Sequence, residues 1–454
     1  MKNRKPFVSG AIPWDGLRRS GKQDGHEICT GSGEDELRLS TTLAKHPDAP
    51  GGNRRALRSV LTGSGAPYLV VLFVTAVVTH FAQYIFPGIA VVSGQPLSVV
   101  LAFVGTSVAL VLWLLYAPQQ FWPALFQVFI GALVLAWVFA VIAAAFHRDA
   151  FNLVASLVPV SLVMVWFKRP HARDVWRAGD AFAWSIIFVA VAAQMLDWLG
   201  IRELRYDFWN RLPLIDQIIG PIGRWEGPFG NSNLAGPIGA FLVAYGMYRY
   251  GWSRWAMVIT GGVIVFLSDS RTGYLGLLVA LFVAALYRPR IGRVQMNGIS
   301  RAIALAVAAV AFVALIVLLD PTINNRIPVW ATFWNLWWSS PLVGVGGDGI
   351  ANAIQGDGLL GGWATHGHNI FVDPLARSGL LGLLPLLIAL LSALILTLRA
   401  AEVGRQAGLV VLACFLAIGI TEDVVDWRYL GIQVFPLLLA AMLGVGATLQ
   451  RKGP

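Results

Sequence analysis

Cysteine is almost missing from this chain: Cys29 and Cys414 are the only two in 454 residues. One stands in a polar stretch and the other inside an apolar block, so neither a disulfide framework nor a cysteine-based metal site is encoded. Charge is scarce as well. Asp, Glu, Lys and Arg make up 13% of the residues against 57% hydrophobic, which excludes an ordinary soluble domain. There is no Walker or dinucleotide-binding glycine pattern, no zinc-type ligand spacing, no fixed-period repeat, and no polar stretch large enough to fold alone. In a membrane protein the formal charge of +10 is read by location, in the N-terminal stretch and the loops, before any nucleic-acid surface, so no nucleic-acid partner is expected.

What is there is a series of apolar blocks, each about the length that crosses a bilayer. Twelve are predicted, at 66–87, 96–116, 121–146, 152–167, 180–199, 233–250, 255–269, 272–287, 302–319, 379–398, 408–421 and 430–448. The expected fold class is therefore all-α: a polytopic membrane protein of about 12 transmembrane helices. Charge bias gives the orientation. Setting the first 65 residues aside, an N-in, C-in arrangement puts fourteen Lys and Arg in inner loops and nine in outer ones, as the positive-inside rule requires. Residues 1–65 mix Gly, Ser, Arg, Lys, Asp and Glu without period and are expected to form a disordered basic cytoplasmic tail. Their start, MKNRKPFVSGAIPWDG, lacks the apolar core of a cleaved signal, so this segment is expected to be retained. Residues 66–454 form the transmembrane domain. Two long outer loops interrupt it, 200–232 and 320–378, the second expected to carry short helices, and loops of such length are usually functional.

All nine outer basic residues are arginine. A guanidinium binds phosphate oxygens bidentately and keeps its charge at every physiological pH, which suits a diphosphate at a membrane surface. The competing reading is a compositional preference for Arg over Lys throughout the chain. Three stand out by context. Arg271, in FLSDSRTGYLG, lies where one span gives way to the next with almost no loop, near Asp269. Arg326, in RIPVWATFWNLWWSS, opens an aromatic stretch containing Trp330, Trp334, Trp337 and Trp338, residues that suit either a headgroup layer or a sugar face. Arg224, in GRWEGPFGNSNLAG, precedes a glycine-rich turn that holds Asn233.

The second outer loop also carries HGHNIF, with two of the seven histidines, His366 and His368, before Asn369. Imidazole can move a proton near neutral pH; it can equally be a hydrogen-bonded structural group. A cation held by the two histidines with Asp348, Asp357 or Asp373 is a third reading, but no second histidine cluster supports it.

Taken in order, GPFGNSNLAG, SDSRTG, RIPVWATFWNLWWSSPLVGVGGDG and HGHNIFVDPLARSGLLGLL resemble the O-antigen ligase and polymerase superfamily, from Arg224 to Leu384. The resemblance implies a glycosyltransferase of the cytoplasmic (inner) membrane, active on its outer face. The donor would be an undecaprenyl-diphosphate-linked glycan, the acceptor lipid A-core or another surface glycan, with no cofactor and no metal. His368 matches the family's catalytic histidine, Arg271 its Ser-Arg-Thr arginine, and Arg326 the arginine before the aromatic stretch. Arg224, Asn233, Trp330, His366 and Asn369 are the accompanying candidates for substrate binding, His366 without a clear counterpart in the family. Within the superfamily the long second loop favours a ligase over a polymerase. From another class, a polysaccharide transporter or flippase also has a dozen spans, but it would carry ionisable groups near mid-membrane, where only His80 stands out. A peptidoglycan polymerase would rely on an outer acid such as Asp348 or Asp357.

Overall fold

The computed structural model describes residues 66–85, 90–92, 95–116, 122–147, 157–201, 206–207, 224–287, 300, 304, 326–356, 367–422 and 434–449, all within the unit Arg58–Pro454. The expected tail over 1–65, and all of the block at 302–319 except residue 304, lie outside the described residues. Helix α1 (Pro67–Ile85) leads through a small antiparallel pair, β1 (Ala90–Val92) and β2 (Gln95–Pro96), into α2 (Leu97–Leu115), α3 (Ala124–His147), α4 (Leu157–Phe167) and α5 (Ala172–Trp198). A second short pair, β3 (Tyr206–Asp207) with β4 (Arg224–Trp225), precedes α6 (Ser232–Gly246), α7 (Gly251–Ser268) and α8 (Arg271–Leu286). Then come two short helices, α9 (Arg326–Ser339) and α10 (Gly346–Gly356), followed by α11 (Val372–Glu402), α12 (Ala407–Gly419) and α13 (Val434–Leu449).

Eleven of the expected apolar blocks coincide with these helices. Four helices, α3, α5, α7 and α11, are long and apolar enough to cross a membrane, and shorter apolar helices run within α1, α2, α8, α12 and α13. The chain is a multi-pass membrane protein. Large apolar side chains such as Phe103, Leu114, Phe146 and Phe188 stand exposed on helix surfaces, the arrangement of a bundle whose solvent is hydrocarbon.

Helix pairs cross closely where both carry glycine. An added Cβ on Gly239 of α6 would lie 2.7 Å from the carbonyl oxygen of Gly261 on α7, and one on Gly273 of α8 would lie 2.7 Å from the carbonyl carbon of Gly236 on α6. With no water to expel between helices in lipid, such close backbone approach supplies much of their association. It also fixes the ends of α6, α7 and α8 against one another. At the opposite end of the bundle, Lys168 Nζ donates to the carbonyls of Trp113 and Tyr116 (2.6 Å to the latter), satisfying the last turn of α2. Trp113 and Trp122 donate to the Met164 and Val165 carbonyls of α4 at 2.7 and 2.6 Å.

Two boundaries differ most from the sequence expectation. Helix α5 begins at Ala172, before the apolar block at 180–199, because the His171 N–H donates to Asp174 Oδ2 at 3.2 Å and closes its first turn. Helix α11 begins at Val372 rather than 379 and breaks at Gly379 (φ 63°, ψ −159°), a conformation open essentially to glycine alone. The break turns the Leu380 and Leu381 N–H groups outward to the carbonyls of Pro341 and Leu342, at 2.9 and 3.1 Å, while Val345 N–H donates to Ala376 O at 2.8 Å. The segment between α9 and α10 is thus tied by backbone to α11. His147, at the end of α3, adds a hydrogen bond from Nε2 to the Gly344 carbonyl at 3.0 Å.

Candidate functional site

Polar groups gather at the end of the bundle where α6 and α8 begin and α7 and α12 finish. Arg224, on β4, is buried; its Nε donates to the Ser268 carbonyl at 3.2 Å and its Nη2 to Asn233 Oδ1 at 2.7 Å. Asn233 therefore serves first as the clamp of this guanidinium. His80 of α1 packs its ring on Phe229, in the turn that follows Arg224, with 6.3 Å between centroids.

The SDSRTG stretch makes a two-residue switch between helices. Asp269 caps α7 in the left-handed region (φ 44°) with its side chain buried, and Ser270 caps α8, its Oγ accepting from the Gly273 N–H at 3.2 Å. Arg271, the first residue of α8, is exposed. Thr272 beside it hydrogen-bonds Thr421 hydroxyl to hydroxyl at 3.0 Å, and so joins the start of α8 to the residues just beyond α12.

Glu422 follows that threonine, and sequence reasoning missed it. Its Oε1 pairs with Arg326 Nη2 and its Oε2 accepts from His368 Nδ1 at 3.1 Å. All three side chains are largely withdrawn from solvent: Arg326 is 5% exposed, Glu422 9% and His368 12%. One carboxylate thus bridges the arginine that opens α9 to the histidine that precedes α11. With Nδ1 turned to the carboxylate, Nε2 is the ring nitrogen that can take a proton, and Glu422 is placed to stabilise the imidazolium that results.

The histidine loop is held from two sides. Asn369 Oδ1 accepts from the Phe371 and Val372 N–H groups at 2.8 and 3.1 Å, and its Nδ2 donates to the Ile420 carbonyl at 2.8 Å. Ile370 N–H donates to Gly419 O at 2.7 Å. The loop is therefore stapled to the end of α12, three residues before Glu422. Asp373 takes the Gly367 N–H on Oδ1 at 2.7 Å and Arg377 Nε on Oδ2 at 2.7 Å. His368 itself sits at φ 45°, a left-handed conformation that costs a non-glycine residue about 1–2 kcal/mol and is sustained by these bonds. Gly367 is closely packed: an added Cβ would lie 3.0 Å from both the Asp373 nitrogen and Phe333 Cδ1 of α9.

The structure brings Arg326 and His368 together through Glu422, and Thr272, the residue after Arg271, bonds Thr421 beside Glu422. Asn369 engages its own loop, and Arg377 joins Asp373 rather than the Arg326 cluster. Trp330, one turn after Arg326, buries its indole N–H with no hydrogen-bond partner among the described residues. His366, Asp357, and the outer arginines 148, 202, 205, 211 and 428 lie outside the described residues. Among the described residues no group of three or more His, Cys, Asp or Glu is disposed to hold a metal ion.

A multi-pass helical membrane protein with a buried Arg–Glu–His cluster at one end of its bundle is the class that fold and site define. Residues 255–387 match the family model of the O-Antigen ligase domain, Wzy_C, which supports the resemblance read from the motifs over that stretch. That stretch contains Arg271, Arg326, Trp330, His368 and Asn369, whereas Arg224, Asn233 and Glu422 lie beyond it. No curated protein matches the chain.

Proposed function

We propose that this protein is an O-antigen ligase-like glycosyltransferase, joining a glycan from undecaprenyl diphosphate to a lipid or cell-surface acceptor on the outer face of the cytoplasmic membrane. The observation that carries the reading is the single carboxylate, Glu422, holding both Arg326 and His368. An acceptor hydroxyl attacks the anomeric carbon of the donor sugar. Its proton passes to His368 Nε2, the bond from that carbon to the diphosphate oxygen breaks, and undecaprenyl diphosphate leaves with the electron pair. One displacement inverts the anomeric configuration. Arg271 and Arg326 offset the charge that grows on the diphosphate, and a stabilised leaving group of this kind has no need of a protein acid or a metal ion. Glu422 keeps the imidazole in the proton-accepting tautomer, and the Trp330 N–H is a donor toward the same substrate.

The test is transfer by the full-length protein in proteoliposomes, with undecaprenyl-diphosphate-linked glycan as donor. His368→Ala is expected to lower kcat by about 10²–10⁴-fold, and Glu422→Gln by about 10²-fold or more, with activity retained in chelator. Full activity of folded His368→Ala would remove the mechanism, and chelator sensitivity would restore a cation between the two histidines. Growth of the lipid-linked chain itself, without transfer to a separate acceptor, would mark a polymerase. Movement of the lipid-linked glycan across the bilayer with no covalent product would mark a transporter.

A further inference from the structure

Tyr274 belongs to none of the groups assigned above. It stands in the first turn of α8, three residues after Arg271 and so on the same helix face. Its hydroxyl is buried and has no hydrogen-bond partner among the described residues. A phenol placed this way loses its bonds to water without replacing them, which is unfavourable unless a bound group supplies the partner. Its charged neighbours are Asp269 and Arg224. Both are buried, Asp269 in the left-handed cap of α7 and Arg224 clamped by Ser268 and Asn233.

We propose that Tyr274, Asp269 and Arg224 form a subsite for the sugar residue bonded directly to the donor's diphosphate, which they bind through its neutral hydroxyls; this rests on the glycosyltransferase reading. Charge decides between a sugar and a phosphate. The guanidinium and the carboxylate balance, so the cluster offers no net attraction to an anion, and Asp269 repels one. A carboxylate that accepts, a guanidinium that donates and a phenol that does both match a polyol, whose every hydroxyl also gives and takes a hydrogen bond. Position decides which sugar. Arg271 lies two residues from Asp269 and three from Tyr274, so a diphosphate at Arg271 brings its own first sugar beside this cluster and leaves the more distant residues of the glycan outside. Such a site discriminates strongly, because without the hydroxyl its buried polar groups stay unsatisfied.

Binding of two probes to the full-length protein in nanodiscs tests this without requiring turnover: undecaprenyl diphosphate alone, and the same lipid carrying the glycan. Wild type should prefer the glycan-bearing lipid. Tyr274→Phe should reduce that preference about tenfold while leaving affinity for undecaprenyl diphosphate unchanged. Asp269→Asn should also reduce the preference, and should leave the bare lipid bound as tightly or more so. A Tyr274→Phe protein with unaltered preference overturns the subsite, as does equal weakening of both probes, which would make the tyrosine a phosphate ligand. Wild type with no preference overturns it too. If the preference behaves as expected but the transfer assay yields no product, the subsite stands and the proposed reaction falls.

Discussion

Arg271 and Arg326 carry the same charge in the proposed reaction but stand in opposite surroundings, and substitution should separate what each does. Arg326 is buried against Glu422, and removing one partner of a buried ion pair costs about 3–5 kcal/mol because the other charge is left uncompensated. Arg326→Ala should therefore lower both thermal stability and transfer. Arg271 is exposed at the start of α8, where substitutions change stability by about 0.5 kcal/mol or less. Arg271→Ala should unfold at nearly the wild-type temperature in detergent while losing about 10²–10³-fold in kcat, the scale of removing one charge-stabilising donor. A large loss of stability in Arg271→Ala would show it to be structural. At this scale the sequence was informative about residues that announce a chemistry, such as arginines at span ends and a histidine beside an asparagine. It was silent on Glu422. An acid after an apolar block reads as an ordinary loop residue, and its meaning comes from two partners, 54 and 96 positions away, which only the tertiary fold brings to it.

Among the elements, α11 has the most consequence for the site. Its break at Gly379 faces the Pro341–Val345 segment, and an added Cβ there would lie 2.2 Å from the Leu342 carbonyl oxygen. Gly379→Ala should cost at least about 1–3 kcal/mol from the backbone conformation alone, with the clash in addition. It should also release the segment from α11, so transfer is expected to fall together with the unfolding temperature. Wild-type stability in Gly379→Ala would mean that the helix accommodates a different path. Hydropathy located most helices because lipid imposes one rule on all of them: backbone bonds closed within the segment and apolar side chains outside. The same rule hid the break, since GLLGLL is equally apolar whether or not the helix runs through it. The first turns of α5 and α11 were hidden for a different reason. Asp174 and Asp373 stand in those turns, and a hydropathy reading assigns acidic residues to loops.

For the molecule as a whole, orientation in the membrane determines which compartment supplies the acceptor. Ser339, at the end of α9, is exposed and belongs to the loop expected outside. A single cysteine there, Ser339→Cys in a background with Cys29 and Cys414 replaced, should react with a membrane-impermeant maleimide added to intact spheroplasts. Reaction only after the membrane is opened would invert the arrangement and move the site to the cytoplasm. The charge bias between loops is what the sequence offers on orientation, and the labelling tests it. The convergence of residues 224, 269–272, 326, 368 and 422 is not legible there, because each lies in a different segment and no period in the sequence relates one to another.

Those residues share one further property: apart from Arg224, which is on β4, each sits in the first or last turn of a helix or in the few residues beside it. The interior of the bundle has to be apolar and closely packed, with its glycine crossings kept, but within those limits it tolerates exchange among Leu, Ile, Val and Phe wherever volume is conserved. If the proposed transfer holds, specificity for a new acceptor or sugar can change within a layer one or two turns deep while the scaffold drifts. Relatives of this chain should be recognisable by the order of a few short polar segments long after their membrane helices have ceased to align.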